Sequence, residues 1–477
     1  MNQHVVTFLP AGISVPVEAG SSLLQAQIAA GLQPDAPCGG KGTCGKCRVV
    51  LDGQEILACQ TQVHRDMTVF TEQPEQMKIL TAGLSVDILP DGTDAYVMAF
   101  DIGTTTVVCY LMDGRSGGLL AQSSCMNPQS QFGADVISRI QQVLKDGGDV
   151  MSTTIRDALS RLARETAAKA GIPPEAITAS AIVGNTAMHH LLLGIDPKPL
   201  VTPPYMPAVF EALERNGARI LPNIAGFVGG DTVGCMVSTR FDRLEELTLL
   251  IDIGTNGEMV LGNRNRRIAC STAAGPAFEG AKISCGMRGA EGAVDHVWLE
   301  KGELQYHVIG DKAPQGLCGS GLLDLVAVLL DLEVLDESGY LEEKAFSLCE
   351  NVTLTQKDIR EVQLAKAAIR AGIELLARQM GVKVEDIQQV YLAGAFGNYM
   401  DPKSACRIGM IPPVLIDRIQ PIGNAAGEGA KLCALRREEF DYAKALAKHT
   451  EFLELASLPD FQDCYVDALE FSEEEDA

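Results

Sequence analysis

The stretch Tyr96–Gly114, YVMAFDIGTTTVVCYLMDG, is an apolar run, a tight Asp-Ile-Gly-Thr turn and a second apolar run. The same arrangement returns at Leu247–Asn265 as LTLLIDIGTNGEMVLGNRN. There Asp252-Ile253-Gly254-Thr255 repeats Asp101-Ile102-Gly103-Thr104 letter for letter. One such hairpin is an ordinary turn; two matching copies point to a duplication around a central cleft. Gly103 and Gly254 let backbone N–H groups approach a phosphate with no Cβ in the way. Thr104, Thr105, Thr106, Thr255 and Asn256 add side-chain donors. Asp101 and Asp252, negative like the phosphate, make sense as partners of Mg²⁺ or its waters. Two facing hairpins of this kind would grip the phosphates of ATP from both sides.

Further along, Thr355 and Asp358 form a capping box that predicts a long helix, with Ile359, Val362, Ala365, Ile369, Ile373 and Leu376 as its apolar stripe and Gly381 as its stop. A strand then runs into the glycine turn Gly394-Ala395-Phe396-Gly397, where a flat purine can lie on bare backbone. Gly319 and Ser320 open another apolar helix and are candidates to line the nucleotide. Asp231, Glu258 and Glu279 are candidates for orienting an attacking water. Gly229-Gly230-Asp231-Thr232 reads as another cleft turn or, equally, as a joint between strand and helix. His189 and His190 read as packing residues. No G-x-x-x-x-G-K-[ST] motif occurs. The two hairpins with the late strand and glycine turn resemble the actin-like (ribonuclease H-like) ATPase fold.

The other informative segment is APCGGKGTCGKCRVVLDGQEILACQT, where Cys38, Cys44, Cys47 and Cys59 are spaced C-x5-C-x2-C-x11-C. Zinc usually takes two short Cys pairs, and only Cys44 and Cys47 make one. Three cysteines on a glycine-rich loop and a fourth beyond it suit a 2Fe–2S cluster, and glycine N–H groups aimed at sulfur favour the reduced state. Strands at 5–9, 13–17, 48–51 and 67–71 with a helix at 22–30 give the β-grasp order, and the segment resembles plant-type ferredoxins. The other ten of the 14 cysteines are scattered and read as buried hydrophobes.

The fold class expected is thus multidomain α+β and α/β. It comprises a 2Fe–2S β-grasp domain over 1–75, a linker over 76–95, actin-like subdomains over 96–247 and 248–465, and an acidic tail over 466–477. The linker is read as a tether on which the cluster domain swings. The 477 residues carry 62 acidic against 39 basic side chains, a formal charge of −23, which argues against nucleic acid as a partner. No signal peptide or membrane span is visible, and a cytoplasmic protein is expected.

The combination resembles the reductive activators of corrinoid-dependent methyltransferases, ATP-dependent iron–sulfur proteins of anaerobes. The carrying residues are the cluster loop, both DIGT turns, Gly184-Asn185-Thr186-Ala187-Met188-His189, Thr202-Pro203-Pro204-Tyr205 and Ala273–Gly280. The linker is shorter than in larger members, which carry an extra middle domain. The resemblance implies one-electron reduction of inactive cob(II)alamin to cob(I)alamin on a corrinoid protein, an external reductase or ferredoxin as donor, and homodimerisation. It also suggests that residues 270–289 face the cobalt. Two other classes fit parts of the pattern: an electron-transfer subunit with a docking domain, and a small-molecule kinase with a redox-sensing cluster.

Overall fold

A computed structural model describes residues 3–32, 34, 36, 38–42, 45–71 and 80–471. Strands β1 (Gln3–Leu9) and β2 (Ile13–Glu18) form a hairpin. Helix α1 (Leu23–Ala29) follows, started by a capping box between Ser22 and Gln25. Then come β3 (Arg48–Leu51), β4 (Gln54–Leu57) and β5 (Met67–Phe70), in the sheet order β2-β1-β5-β3-β4. Alternation along β1 turns Val6 and Phe8 inward, where they meet Leu23, Leu24, Val49 and Val69. This is the β-grasp order read from the sequence.

The second body is built twice from one plan. Strands β6 (Tyr96–Ile102), β7 (Thr106–Asp113) and β8 (Leu119–Met126) form an antiparallel meander. Helices α2 (Val136–Asp146) and α3 (Asp149–Ala170) follow. Strand β9 (Ile177–Gly184) then pairs parallel to β6, and α4 (Thr186–Leu193), β10 (Leu213–Arg215) and β11 (Ala218–Ile220) complete the sheet β10-β11-β9-β6-β7-β8. Helix α5 (Gly230–Thr239) leads to the repeat.

In the repeat, β12 (Thr248–Ile253), β13 (Gly257–Gly262) and β14 (Arg267–Thr272) form the matching meander. A small sheet of β15 (Ala293–Glu300), β16 (Glu303–Val308) and β17 (Gly316–Leu317) precedes α6 (Gly319–Asp331). A hairpin of β18 (Ala345–Cys349) and β19 (Val352–Thr355) precedes α7 (Gln356–Met380). Strand β20 (Gln389–Ala393) then pairs parallel to β12, as β9 does to β6. Helices α8 (Gly394–Tyr399) and α9 (Pro402–Arg407), strand β21 (Ile419–Gly423), helices α10 (Ala425–Leu435) and α11 (Arg437–Lys448), strand β22 (Glu451–Phe452) and helix α12 (Phe461–Asp467) complete the chain, with the sheet order β21-β20-β12-β13-β14-β22.

Both central strands are buried on their two faces, which is why they read as unbroken apolar runs. Leu249, Ile251 and Ile253 face α7, whose predicted stripe is fully buried; each such Ile or Leu contributes roughly 1.5–3 kcal/mol. Leu250 faces the other way, into a core shared with Val97 and Ala99 of the first sheet and with α5 and α10. These two helices cross at glycines. A Cβ on Gly429 would lie 2.1 Å from the carbonyl oxygen of Gly234.

The described part of the expected linker is laid on the second body rather than hanging free. The Leu84 N–H bonds the Ile422 carbonyl at 2.8 Å, and the Asn424 N–H bonds that of Ala82 at 2.9 Å. Farther on, Asp91 exchanges backbone and side-chain bonds with Leu435 and Arg437. The segment expected as a tail from 466 is also held as far as Phe471, which is buried and bonds the Glu337 carbonyl through its N–H. Residues 472–477 lie outside the described residues, as do 72–79.

Candidate functional site

At the cluster loop, Gly39, Gly40, Gly42 and Gly45 all take positive φ, between 61° and 84°, which turns the chain back on itself. Cys38, Cys47 and Cys59 are placed by this loop and by the turn after β4; Cys44 lies outside the described residues. Cys47 is buried against the β-grasp core, and its Sγ accepts the Cys59 N–H at 3.5 Å. A second donor, Gln60 Nε2, reaches Cys59 Sγ at 3.7 Å. Soft thiol ligands with N–H groups aimed at sulfur fit an iron–sulfur cluster.

The scattered cysteines contrast with these. Burial pushes the thiols of Cys109 and Cys406 up to about 12 and those of Cys285 and Cys464 to about 11. Cys125, Cys235, Cys270, Cys318 and Cys433 are raised for the same reason.

The cleft between the two sheets gathers the predicted carboxylates. Asp101 is the penultimate residue of β6 and Asp252 of β12, and the antiparallel register sets Glu258 directly opposite Asp252. Asp231 enters from the first turn of α5. Burial pushes Asp101 and Asp231 up to about 6 and Asp252 to about 7. Asp101 raises Asp231, and both raise Asp252. Glu258 stands well above its usual range, first through burial and then through Asp231 and Asp252. Carboxylates brought this close repel one another, which is why each raises the next.

The two glycine turns close similarly: the Gly103 N–H bonds the Thr106 carbonyl at 2.8 Å, and the Gly254 N–H bonds that of Asn256 at 2.9 Å. Glu279 joins them. Its Oε2 accepts from Thr105 Oγ1 and its Oε1 from Thr255 Oγ1, each at 2.9 Å. Thr104 Oγ1 accepts from Asn185, the N-cap of α4.

At the far side, Gly394 has φ 81°, and a Cβ there would lie 2.6 Å from Asp252 Oδ1. Gly319 abuts Phe278 and Phe396, whose rings stack at 4.7 Å. Ser320 is buried beside it. Gly397 packs against Leu392 of the preceding strand. Gly229–Thr232 is the start of α5 and not a free turn. The two histidines are packing residues, as read: His190 spans the Thr186 carbonyl and the Ala208 N–H, while burial, with His190 beside it, pushes His189 down to about 4.

Three contributors escape a sequence reading. Asn424 caps α10 and donates to Asp101 Oδ2 at 2.8 Å. Arg139, fully buried, bonds the Thr104 and Gly133 carbonyls at 2.6 and 2.9 Å. Lys46, within the cluster loop, donates to the Gly280 and Gly286 carbonyls at 2.6 and 2.8 Å. The 270–289 stretch, expected to face the cobalt, thus touches the cluster loop here. Only a glycine-rich helix start around Asn424 hints at its role in advance.

Residues 6–66 match the 2Fe-2S iron-sulfur cluster binding domain, 96–244 the RACo middle region, and 246–477 the C-terminal domain of RACo, the ASKHA domain. The chain is 36% identical over 450 residues to the corrinoid activation enzyme RamQ of Eubacterium limosum, covering 84% of this chain and 75% of that protein. It is 29% identical over 296 residues to the [Co(II) methylated amine-specific corrinoid protein] reductase of Methanosarcina barkeri, 55% of this chain and 54% of that one. A solved reductive activator for corrinoid,iron-sulfur protein superposes with a TM-score of 0.71 at 28% identity, covering 98% of each chain. No helix among the described residues is long and apolar enough to cross a membrane.

Proposed function

The chain belongs to the corrinoid activation enzymes, which carry out reductive activation with a 2Fe–2S domain and an actin-like domain, and from that premise we propose an ATP-dependent, one-electron return of inactive cob(II)alamin to cob(I)alamin on a corrinoid protein. In this reading Cys38, Cys44, Cys47 and Cys59 hold the cluster. When bound, it supplies single electrons that it receives from a reductase or ferredoxin.

Asp101 and Asp252 hold Mg²⁺. Gly103, Thr104, Thr105, Thr106, Gly254, Thr255 and Asn256 hold the phosphates, and Gly319, Ser320, Gly394 and Gly397 line the adenosine. Asp231 and Glu258 orient the water; Glu279, the third candidate, holds a threonine of each turn.

The observation that carries the ATP requirement is the approach of four carboxylates, Asp101, Asp231, Asp252 and Glu258, between two matching glycine turns. Reduction of cob(II)alamin is uphill from a cluster near the roughly −400 mV of plant-type ferredoxins. Nucleotide can help only by binding one state of the complex better than the other.

The test is anaerobic. Cob(I)alamin absorbance of a corrinoid methyl-transfer protein is followed with reductant, with and without Mg–ATP. ATP-dependent appearance of cob(I)alamin is expected. Equal reduction without ATP would leave only an electron-transfer subunit, and phosphorylation of a metabolite in place of reduction would make the chain a kinase.

A further inference from the structure

The cluster loop rests on the nucleotide-binding body at two places, and each is tied to a phosphate turn. Gly39 lies against Phe132 and Gly133, with less than 4 Å between an added Cβ and their backbone. That segment begins at Asn127, whose N–H and Nδ2 bond the Thr105 and Gly103 carbonyls, both at 2.8 Å. The second place is the Lys46 ammonium, held by the Gly280 and Gly286 carbonyls. These two glycines close a small loop on itself: a Cβ on Gly286 would meet the Gly280 carbonyl oxygen at 2.4 Å. The loop therefore moves as a unit, and Glu279 precedes its first residue.

Glu279 offers two oxygens to one threonine from each turn. That is the bidentate geometry in which two oxygens of a phosphate would be taken by the same hydroxyls. A carboxylate and a phosphate repel, so both do not hold this seat at once. Beside Glu279 lies a cavity of about 200 Å³ between α1 and the cleft, with Arg139 and Arg288 in its wall. It gives a displaced carboxylate both room and a positive destination.

We propose that Glu279 and Lys46 form a latch: Glu279 keeps the phosphate seat in the nucleotide-free protein, and phosphate arriving there drives it towards Arg288 and loosens the loop that grips the cluster domain. Lys46 is the positioning residue, and the latch rests on reading this cleft as the nucleotide site. It gives ATP binding a physical route to the electron-carrying domain. By linkage, whatever weakens the Lys46 grip must also help nucleotide bind.

Hydrogen–deuterium exchange of the full, iron-loaded chain, kept anaerobic, tests this with magnesium and the non-hydrolysable analogue AMP-PNP. Saturating analogue should speed exchange severalfold at residues 45–48 and 280–287. Calorimetry on Lys46→Met should show AMP-PNP binding tighter by about fivefold, the lower end of usual coupling. The same variant should show the faster exchange before nucleotide is added. Unchanged or slower exchange at both segments under saturating analogue overturns the latch and leaves the nucleotide site standing. Equal or weaker binding by Lys46→Met with its visible spectrum intact does the same. If the variant fails to load its cluster, the exchange of the native chain decides alone. Absence of any AMP-PNP binding takes down both the latch and the functional reading beneath it.

Discussion

Asp252 and Glu258 stand opposite each other on neighbouring strands, a placement that like charges disfavour by up to about 1 kcal/mol even at exposed sites. Asp252→Asn should therefore steady the metal-free protein, by about 1 kcal/mol in urea unfolding, while lowering Mg–nucleotide affinity tenfold or more and sparing the visible spectrum. Lys366 is a second residue held against its chemistry. Burial and Arg370 push its ammonium down to about 7, with Glu470 opposing, and its Nζ reaches the Glu470 carbonyl. The unfolded chain releases that proton only near 10.4. Between these values the unfolded state holds the extra proton, so stability from this group rises as pH climbs from about 7 towards 10. Lys366→Met should flatten that rise in urea midpoints taken at pH 7 and pH 9.5.

At the level of elements, α5 and α10 cross where Gly234 and Gly429 let their backbones touch. Gly429→Ala places a methyl against the Gly234 carbonyl oxygen and should cost about 1–3 kcal/mol of stability, as overpacked cores do. It should also weaken nucleotide binding, because α5 carries Asp231 and α10 follows Asn424. Elements were legible in the sequence where the signal is local. The Thr355–Asp358 capping box, the buried stripe of α7 and the left-handed Gly381 all stand where the pattern puts them. The paired DIGT turns were legible because strand, glycine and strand lie within one short window. Gly229–Thr232 could be read either way, because two glycines before an aspartate suit a turn and a helix start alike; it is the helix start. The contacts of Asn424 with Asp101, Arg139 with Thr104 and Lys46 with Gly280 were illegible for another reason: the partners lie far apart in the chain, and no spacing rule encodes them.

At the scale of the molecule, the segment from residue 80 to 94 belongs mechanically to the second body, since it bonds β21, Asn424 and α10. A chain starting at residue 80 lacks Lys46 and should bind Mg–nucleotide about fivefold tighter than the full protein, as the linkage requires. One starting at residue 95 loses the carbonyl that holds the Asn424 N–H, and with it some of the support for Asp101. Calorimetry on the two truncations should separate them by severalfold in affinity. The protonated state of the buried thiols has a consequence for their reactivity. A thiol that keeps its hydrogen is a poor ligand and a poor nucleophile. An alkylating reagent that needs a thiolate should therefore label few of these sulfurs in the folded body, as peptide mass spectrometry would show.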